Sequence, residues 1–214
     1  MKFTLQKCLV FLFLFTSSLY AQESSTDYKH TAFLGFDLVT SGSFEDGTTS
    51  SSSTTFDSEI NFESAFSIGY EYQEAKKESW GKAFGVSYHT KREVDSFDLN
   101  GETLQATGDA AEITMLKLNA NLIYRWDIFY IPFGINLTTV SYDPPANYDG
   151  TVDSTGGLGF NFGLGWFIND QFAIEYMSSS SVWELEADDG STTTDFGDGI
   201  LAVATLRLKY IFDN

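Results

Sequence analysis

Hydrophobic and polar residues alternate one by one along much of the chain, in blocks separated by runs of Gly, Ser, Thr and Asp. A period of two places successive side chains on opposite faces of a β-strand. Eight blocks of this kind can be marked, at 31–40, 57–73, 80–91, 112–126, 128–141, 157–168, 171–186 and 199–212. In the fourth, Thr114, Leu116, Leu118, Ala120, Leu122, Tyr124 and Trp126 share one face, and Ile113, Met115, Lys117, Asn119, Asn121, Ile123 and Arg125 the other. The second block sets Ile60, Phe62, Phe66, Ile68, Tyr70 and Tyr72 against Glu59, Asn61, Glu63, Ser67, Gly69 and Glu71. In the sixth, Leu158, Phe160, Phe162, Leu164, Trp166 and Ile168 oppose Gly159, Asn161, Gly163 and Gly165. The seventh block loses its apolar face from Ser178 to Ser181, and Glu184 and Glu186 follow on the same parity. Either the strand leaves its apolar surroundings there or a bulge shifts its register.

The connections alternate in length. Residues 41–56, 92–111, 142–156 and 187–198 are long and polar, whereas 74–79, Asp127 and Asn169-Asp170 are short. An even-numbered antiparallel meander with short turns at one rim and long loops at the other predicts an all-β fold, an eight-stranded up-and-down transmembrane β-barrel. Both ends of the meander then lie at the short-turn rim.

Volume decides which face is outside. Eight strands enclose a space that side chains just fill, so a bulky residue at every second position cannot point inward. The apolar set therefore faces outward, toward lipid, and the set containing Gly35, Gly69, Gly85, Gly134, Gly159, Gly163 and Gly165 lines the lumen. On that register the inner face carries Asp37, Glu59, Glu63, Glu71 and Glu175 with Lys91, Lys117, Arg125, Arg207 and Lys209. A sealed interior requires such balance, because a buried charge without a partner is costly. Tyr72, Trp80, Tyr124, Trp126, Phe129, Trp166, Phe172, Tyr210 and Phe212 gather at the short-turn rim as an interfacial aromatic girdle.

Composition narrows the partners. The 214 residues include 12 Lys plus Arg against 30 Asp plus Glu, a formal charge of −18, which argues against nucleic acid because phosphate binding needs a basic footprint. Lys2, Lys7, the apolar run Cys8–Phe15 and Leu19-Tyr20-Ala21 read as a secretory signal peptide over 1–21, leaving one domain at 22–214. That run is too short for a membrane-spanning helix. Cleavage removes two lysines and no carboxylate, so −18 becomes −20, and the single cysteine, Cys8, is lost with it. No disulfide or thiolate metal site is then expected.

Together these features resemble the outer membrane protein β-barrel domain family, the group of small OmpA-, OmpX- and OmpW-like barrels. The last strand, with Ala202, Ala204, Leu206, Leu208, Tyr210 and Phe212, resembles the C-terminal signal read by the barrel-assembly machinery, although Asp213 and Asn214 follow the final aromatic. The resemblance implies a porin-like location in the outer membrane of a Gram-negative cell envelope. Its implied partners are outer-membrane lipids, lipopolysaccharide and the assembly machinery, and the implied state is a monomer. No peptidoglycan-binding domain is expected after the barrel, so wall anchoring of the OmpA kind is not implied.

Candidate chemistry is sparse. His30 precedes the first block and reads as a solvated residue; His89 faces the lumen near the outer end of the third block, where it could meet a Ser and a Glu from a neighbour, and reads as a lumen hydrogen bond. Asp143, Asp149, Asp153, Asp188, Asp189, Asp195 and Asp198 are oxygen donors in loops, but their spacing matches no calcium loop and turn chemistry accounts for them. The run Thr48–Thr55 reads as a mobile loop tip. No catalytic residue, metal or cofactor is expected. The leading expectation is a non-enzymatic barrel that displays acidic loops for envelope integrity, adhesion or partner binding. A narrow OmpW-like conduit for small or apolar molecules comes second, and a lipid A-modifying enzyme third.

Overall fold

The computed structural model describes residues 28–74, 79–106 and 110–212. The signal peptide expected over 1–21 lies outside them. Among the described residues eleven strands form one antiparallel sheet: β1 (Tyr28–Thr49), β2 (Ser52–Phe62), β3 (Ala65–Glu74), β4 (Ser79–Leu99), β5 (Glu102–Gln105), β6 (Glu112–Trp126), β7 (Phe129–Asp143), β8 (Thr151–Phe167), β9 (Phe172–Asp188), β10 (Thr193–Asp195) and β11 (Asp198–Phe212). β2 and β3 are two halves of one pass, and β5 and β10 are short additions, so the chain crosses eight times. The ring closes where β1 pairs with β11, from His30↔Phe212 to Glu45↔Asp198. Closure at this seam pairs the first strand with the last, as strands that cross a bilayer require.

Four of the expected long loops are shorter than the pattern predicts, because the strands continue through them. β1 and β2 form a hairpin whose tip is Ser50 and Ser51, in place of the loop expected at 41–56 and its mobile run. β4 turns into β5 at Asn100 and Gly101, both left-handed (φ 50° and 87°), within the stretch expected as a loop at 92–111. β7 reaches Asp143 and β8 begins at Thr151, while β9 reaches Asp188 and β10 links it to the top of β1. These extensions make a crown above the part of the wall that faces lipid.

The crown depends on register shifts. β1 bulges between Asp37 and Val39, the second pass breaks at Glu63 and Ser64, and β4 shifts between His89 and Arg92. The three lie side by side, since Asp37 pairs with Ala65, Thr40 with Phe62, and the Glu63 N–H donates to the Glu93 carbonyl. β8 shifts between Gly156 and Gly159 on the other side of the ring. A one-residue shift exchanges the two faces of a strand. Above it Phe44, Ile60 and Phe62 point inward and are buried, although Ile60 and Phe62 continue an outward pattern in the sequence. β9 has no such shift: it pairs without a break with β11 from Phe172 to Trp183, so Glu184 and Glu186 face outward because the strand has passed above the lipid-facing belt.

Below the shifts the outer surface is the expected apolar belt, with Phe36, Ile68, Tyr88, Leu118, Phe162, Leu164 and Leu208 among its exposed residues. At its lower edge the aromatic rings touch in series: Trp80 with Tyr124 at 4.9 Å, Tyr124 with Trp126 at 5.6 Å, Phe129 with Trp166 at 6.1 Å and Tyr210 with Phe212 at 5.0 Å. His30 is part of this rim: it lies inside β1, its ring is 5.1 Å from Tyr72, and Nδ1 is hydrogen-bonded to the Tyr70 hydroxyl.

Candidate functional site

The lumen is filled in layers. Lowest is a square of charges on three strands. Lys209 Nζ donates to Glu71 Oε2 and Glu175 Oε2, each at 2.6 Å, and Arg207 Nη1 to Glu71 Oε1 at 3.4 Å and Glu175 Oε1 at 3.2 Å. All four residues are buried. Two cations meet two carboxylates, so the layer is neutral, and ions removed from water are tolerated only when paired in this way. Arg207 also lies 4.5 Å over the Phe33 ring, a cation–π contact that covers the square.

Above it Asp37 is the hub. Its Oδ2 accepts from Arg92 Nη2 at 2.6 Å and from His89 Nδ1 at 2.7 Å, and its Oδ1 from the Thr205 hydroxyl at 2.7 Å. The other His89 nitrogen, Nε2, is 3.3 Å from Ser87 Oγ. Serine, histidine and aspartate thus touch in the order that hydrolases use. Two facts weigh against that chemistry here. The guanidinium of Arg92 shares the same carboxylate oxygen as His89, and Ser87, His89 and Asp37 are all within 1% of full burial. The trio has plugs above and below it, and reads as a lumen brace.

Beside the hub runs a chain of amides. The Thr138 hydroxyl donates to Asn136 Oδ1, Asn136 Nδ2 to Asn161 Oδ1 at 2.9 Å, and Asn161 Nδ2 to Asn119 Oδ1 at 3.0 Å and Asn121 Oδ1 at 3.1 Å. Lys117 Nζ reaches across to Ser179 Oγ at 2.6 Å.

The top layer is apolar. Phe44, Ile60, Phe62, Ile113, Met115, Val140, Trp183, Leu185, Leu201 and Val203 form one buried cluster inside the crown. Trp183 is fully buried, with its indole N–H donated to Ser154 Oγ at 2.9 Å and its ring 4.8 Å from Phe44. Gly42 makes room for it, since a Cβ there would stand 2.1 Å from Trp183 Cζ3. Phe196 closes over Phe44, Phe56 and Phe97 with ring distances of 5.6, 6.0 and 6.4 Å. Beside this lid is a cup of about 110 Å³ whose lining includes Tyr142, Pro145, Tyr148, Val152 and Leu185. It lies where β7 and β8 part, their pairing ending at Leu137↔Leu158.

The charges expected in the lumen divide into three groups. Asp37, Glu71, Lys117, Glu175, Arg207 and Lys209 are inside and buried. Arg125 lies at the lower mouth, half-buried, 3.9 Å over the Phe167 ring. Glu59 and Glu63 are not in the lumen, because the break at Glu63 and Ser64 reverses the faces between β2 and β3; Glu59 is half-buried on the outer side and Glu63 is exposed. Lys91 is likewise outside, 59% exposed and paired with Glu112, while its neighbour Arg92 takes the inward place. The loss of alternation across Thr90-Lys91-Arg92-Glu93 is the one sequence sign of that exchange.

The crown's acids brace their own turns. Asp189 Oδ1 accepts from the Ser191 hydroxyl and N–H and from the Thr192 N–H, which together hold its carboxyl below the usual range. Asp188 and Asp195 accept from the N–H groups of Gly190 and Gly197, at 2.7 and 2.8 Å. Among the described residues no three His, Cys, Asp or Glu side chains are grouped to hold a metal ion.

A closed ring of eight crossings, an apolar belt with an aromatic edge and a polar, charged lumen define a small outer-membrane β-barrel. The chain is similar in structure to the outer membrane protein AlkL (13% identity, 91% of this chain and 96% of that one, TM-score 0.58). It is also similar to OprG from Pseudomonas aeruginosa (14% identity, 87% and 97%, TM-score 0.48) and to Neisserial surface protein A (14% identity, 84% and 95%, TM-score 0.38). No family profile and no curated protein matches the sequence.

Proposed function

We propose that this protein is a closed, non-enzymatic barrel that raises a rigid acidic β-crown above the outer membrane, serving envelope integrity, adhesion or the binding of a surface partner. The carrying observation is the buried apolar cluster around Trp183, which lies above the lipid-facing belt and closes the lumen from that side. A conduit has no use for such a plug, whereas a display platform needs it to stiffen walls that stand in water without lipid around them. The crown's surface is where the chain's excess carboxylates are spent: Glu45, Asp46, Glu184, Glu186 and Asp189 are all exposed. Outer-membrane lipid and lipopolysaccharide contact the belt in this reading, and the barrel-assembly machinery inserts it.

An epitope inserted between Ser50 and Ser51 should be reached by antibody on intact cells, and the purified barrel should give no reproducible channel in a planar bilayer. Labelling that requires permeabilised cells would overturn the display role. Steady conductance would instead favour the second reading, a narrow conduit for small or apolar molecules, for which the cup beside Tyr142 and the parting of β7 from β8 are the supporting features.

A further inference from the structure

Among the described residues the lumen is one negative charge short. Asp37 is matched by Arg92, and Glu71 and Glu175 by Arg207 and Lys209. Lys117 is left over. It is 1% exposed, its ammonium donates to the Ser179 hydroxyl, and no carboxylate among the described residues lies within ion-pair distance. The charged groups close enough to act on it are Asp37, Arg92 and Arg207, and Asp37 is already engaged by Arg92. An ammonium held in a sealed interior either loses its proton or takes a counter-ion.

A second observation points to the counter-ion. The amide chain has a fixed direction, because Asn136 Nδ2 also donates to the carbonyls of Phe160 and Ser180, and Asn161 Nδ2 to that of Ile135. Neither amide can be flipped without setting its own oxygen against those carbonyl oxygens. Asn119 must therefore present Oδ1 to Asn161, and its Nδ2 is left as a buried donor with no acceptor. Asn119 and Lys117 are two residues apart on the inward face of β6. A donor chain that ends without an acceptor, next to an ammonium that lacks a carboxylate, is the donor set of an anion site.

We propose that the barrel holds a small monovalent anion, of the halide class, between Lys117 Nζ and Asn119 Nδ2. The anion neutralises the lumen and completes the amide chain. It is trapped as the barrel folds and stabilises the folded state by mass action.

The test uses the full barrel refolded into detergent micelles in sodium bromide or in sodium gluconate of equal ionic strength, gluconate being too large for the site. Unfolding should be about tenfold slower in bromide, as expected when the free ion stands near ten times its Kd, and crystals grown in bromide should show an anomalous peak beside Lys117 Nζ. Both signals should vanish in Lys117→Met. Should that variant fail to fold, Asn119→Asp supplies an internal carboxylate, and its unfolding should be equal in the two salts. Equal unfolding of the wild-type barrel in both salts, a peak that is absent or a bromide dependence that survives either variant would overturn the proposal.

Discussion

The lower and upper halves of this barrel are built from the same strands with opposite logic. Around the belt, polar and charged residues are inside and Phe162, Leu164 and Leu208 are outside; in the crown, Phe44, Ile60 and Trp183 are inside, and Glu45, Glu184 and Glu186 are outside. What changes between the two is the solvent. Lipid accepts apolar side chains on the outer face and leaves the lumen to ions and amides that must satisfy one another, whereas water reverses the preference and the inside becomes an ordinary dry core. Strands that cross both media have to exchange faces. β1, the second pass, β4 and β8 do it with a register shift, and β6, β7, β9 and β11 by a change of residue types along an unbroken ladder.

The sharpest test of this contrast is a pair of aromatic deletions. Trp183→Ala in the crown should lower stability by about 3–5 kcal/mol in denaturant titrations of the micelle-bound barrel, as a large cavity in a packed core does. Phe160→Ala in the belt, where the side chain is 72% exposed to lipid, should cost about 2 kcal/mol, the ring's transfer from water to hydrocarbon with no cavity left behind. Similar losses for the two would mean that the crown cluster is not a core. Smaller is the effect of Gly101→Ala at the β4–β5 tip. No atom lies within 4 Å of the new methyl, so the cost of about 1–2 kcal/mol comes from the left-handed backbone alone. It should appear as faster hydrogen exchange in β4 and β5 with the belt unchanged, and spread of the effect into β6 or β7 would show that crown and belt do not melt separately. The slightest effect is a titration. A carboxyl whose folded value is depressed contributes stability above its unfolded value and loses it as the pH falls through the folded one. NMR of Asp189 should therefore show it ionised where an ordinary aspartate has begun to protonate, with the turn at Ser191 and Thr192 loosening only at lower pH. Titration in the ordinary range would remove the turn's hydrogen bonds from the account.

The belt was legible in the amino-acid order and the crown was not. Most belt strands show large apolar residues at every second place, because lipid favours them; β9 departs from this at Ser178 and Ser180, beside Phe162 and Phe160. In the crown the outward positions need only be polar and the inward ones are few, so Phe44 and Phe97 stand among Ser, Thr and Asp like stray residues of a loop. One strong signal was present: Asn100-Gly101 is the pair that two-residue hairpins favour, and it stands between Phe97-Asp98-Leu99 and Glu102-Thr103-Leu104. The exchange of Lys91 for Arg92 follows from a bulge, which adds one residue to a strand and leaves no composition of its own. Glu59 and Glu63 were misplaced for the same reason, through a parity carried across a break that polar residues conceal.

The hub at Asp37 has a bearing on how the polypeptide arrives at its final form. Its carboxylate belongs to the first strand, and the Thr205 hydroxyl that it accepts from belongs to the last, 168 positions later. Until those two segments meet, a charge destined for a dry interior is missing part of its solvation, and two strands have unmet edges. Partly wrapped intermediates are therefore penalised twice, which favours a concerted final zippering step and makes an escort valuable to the chain while it waits.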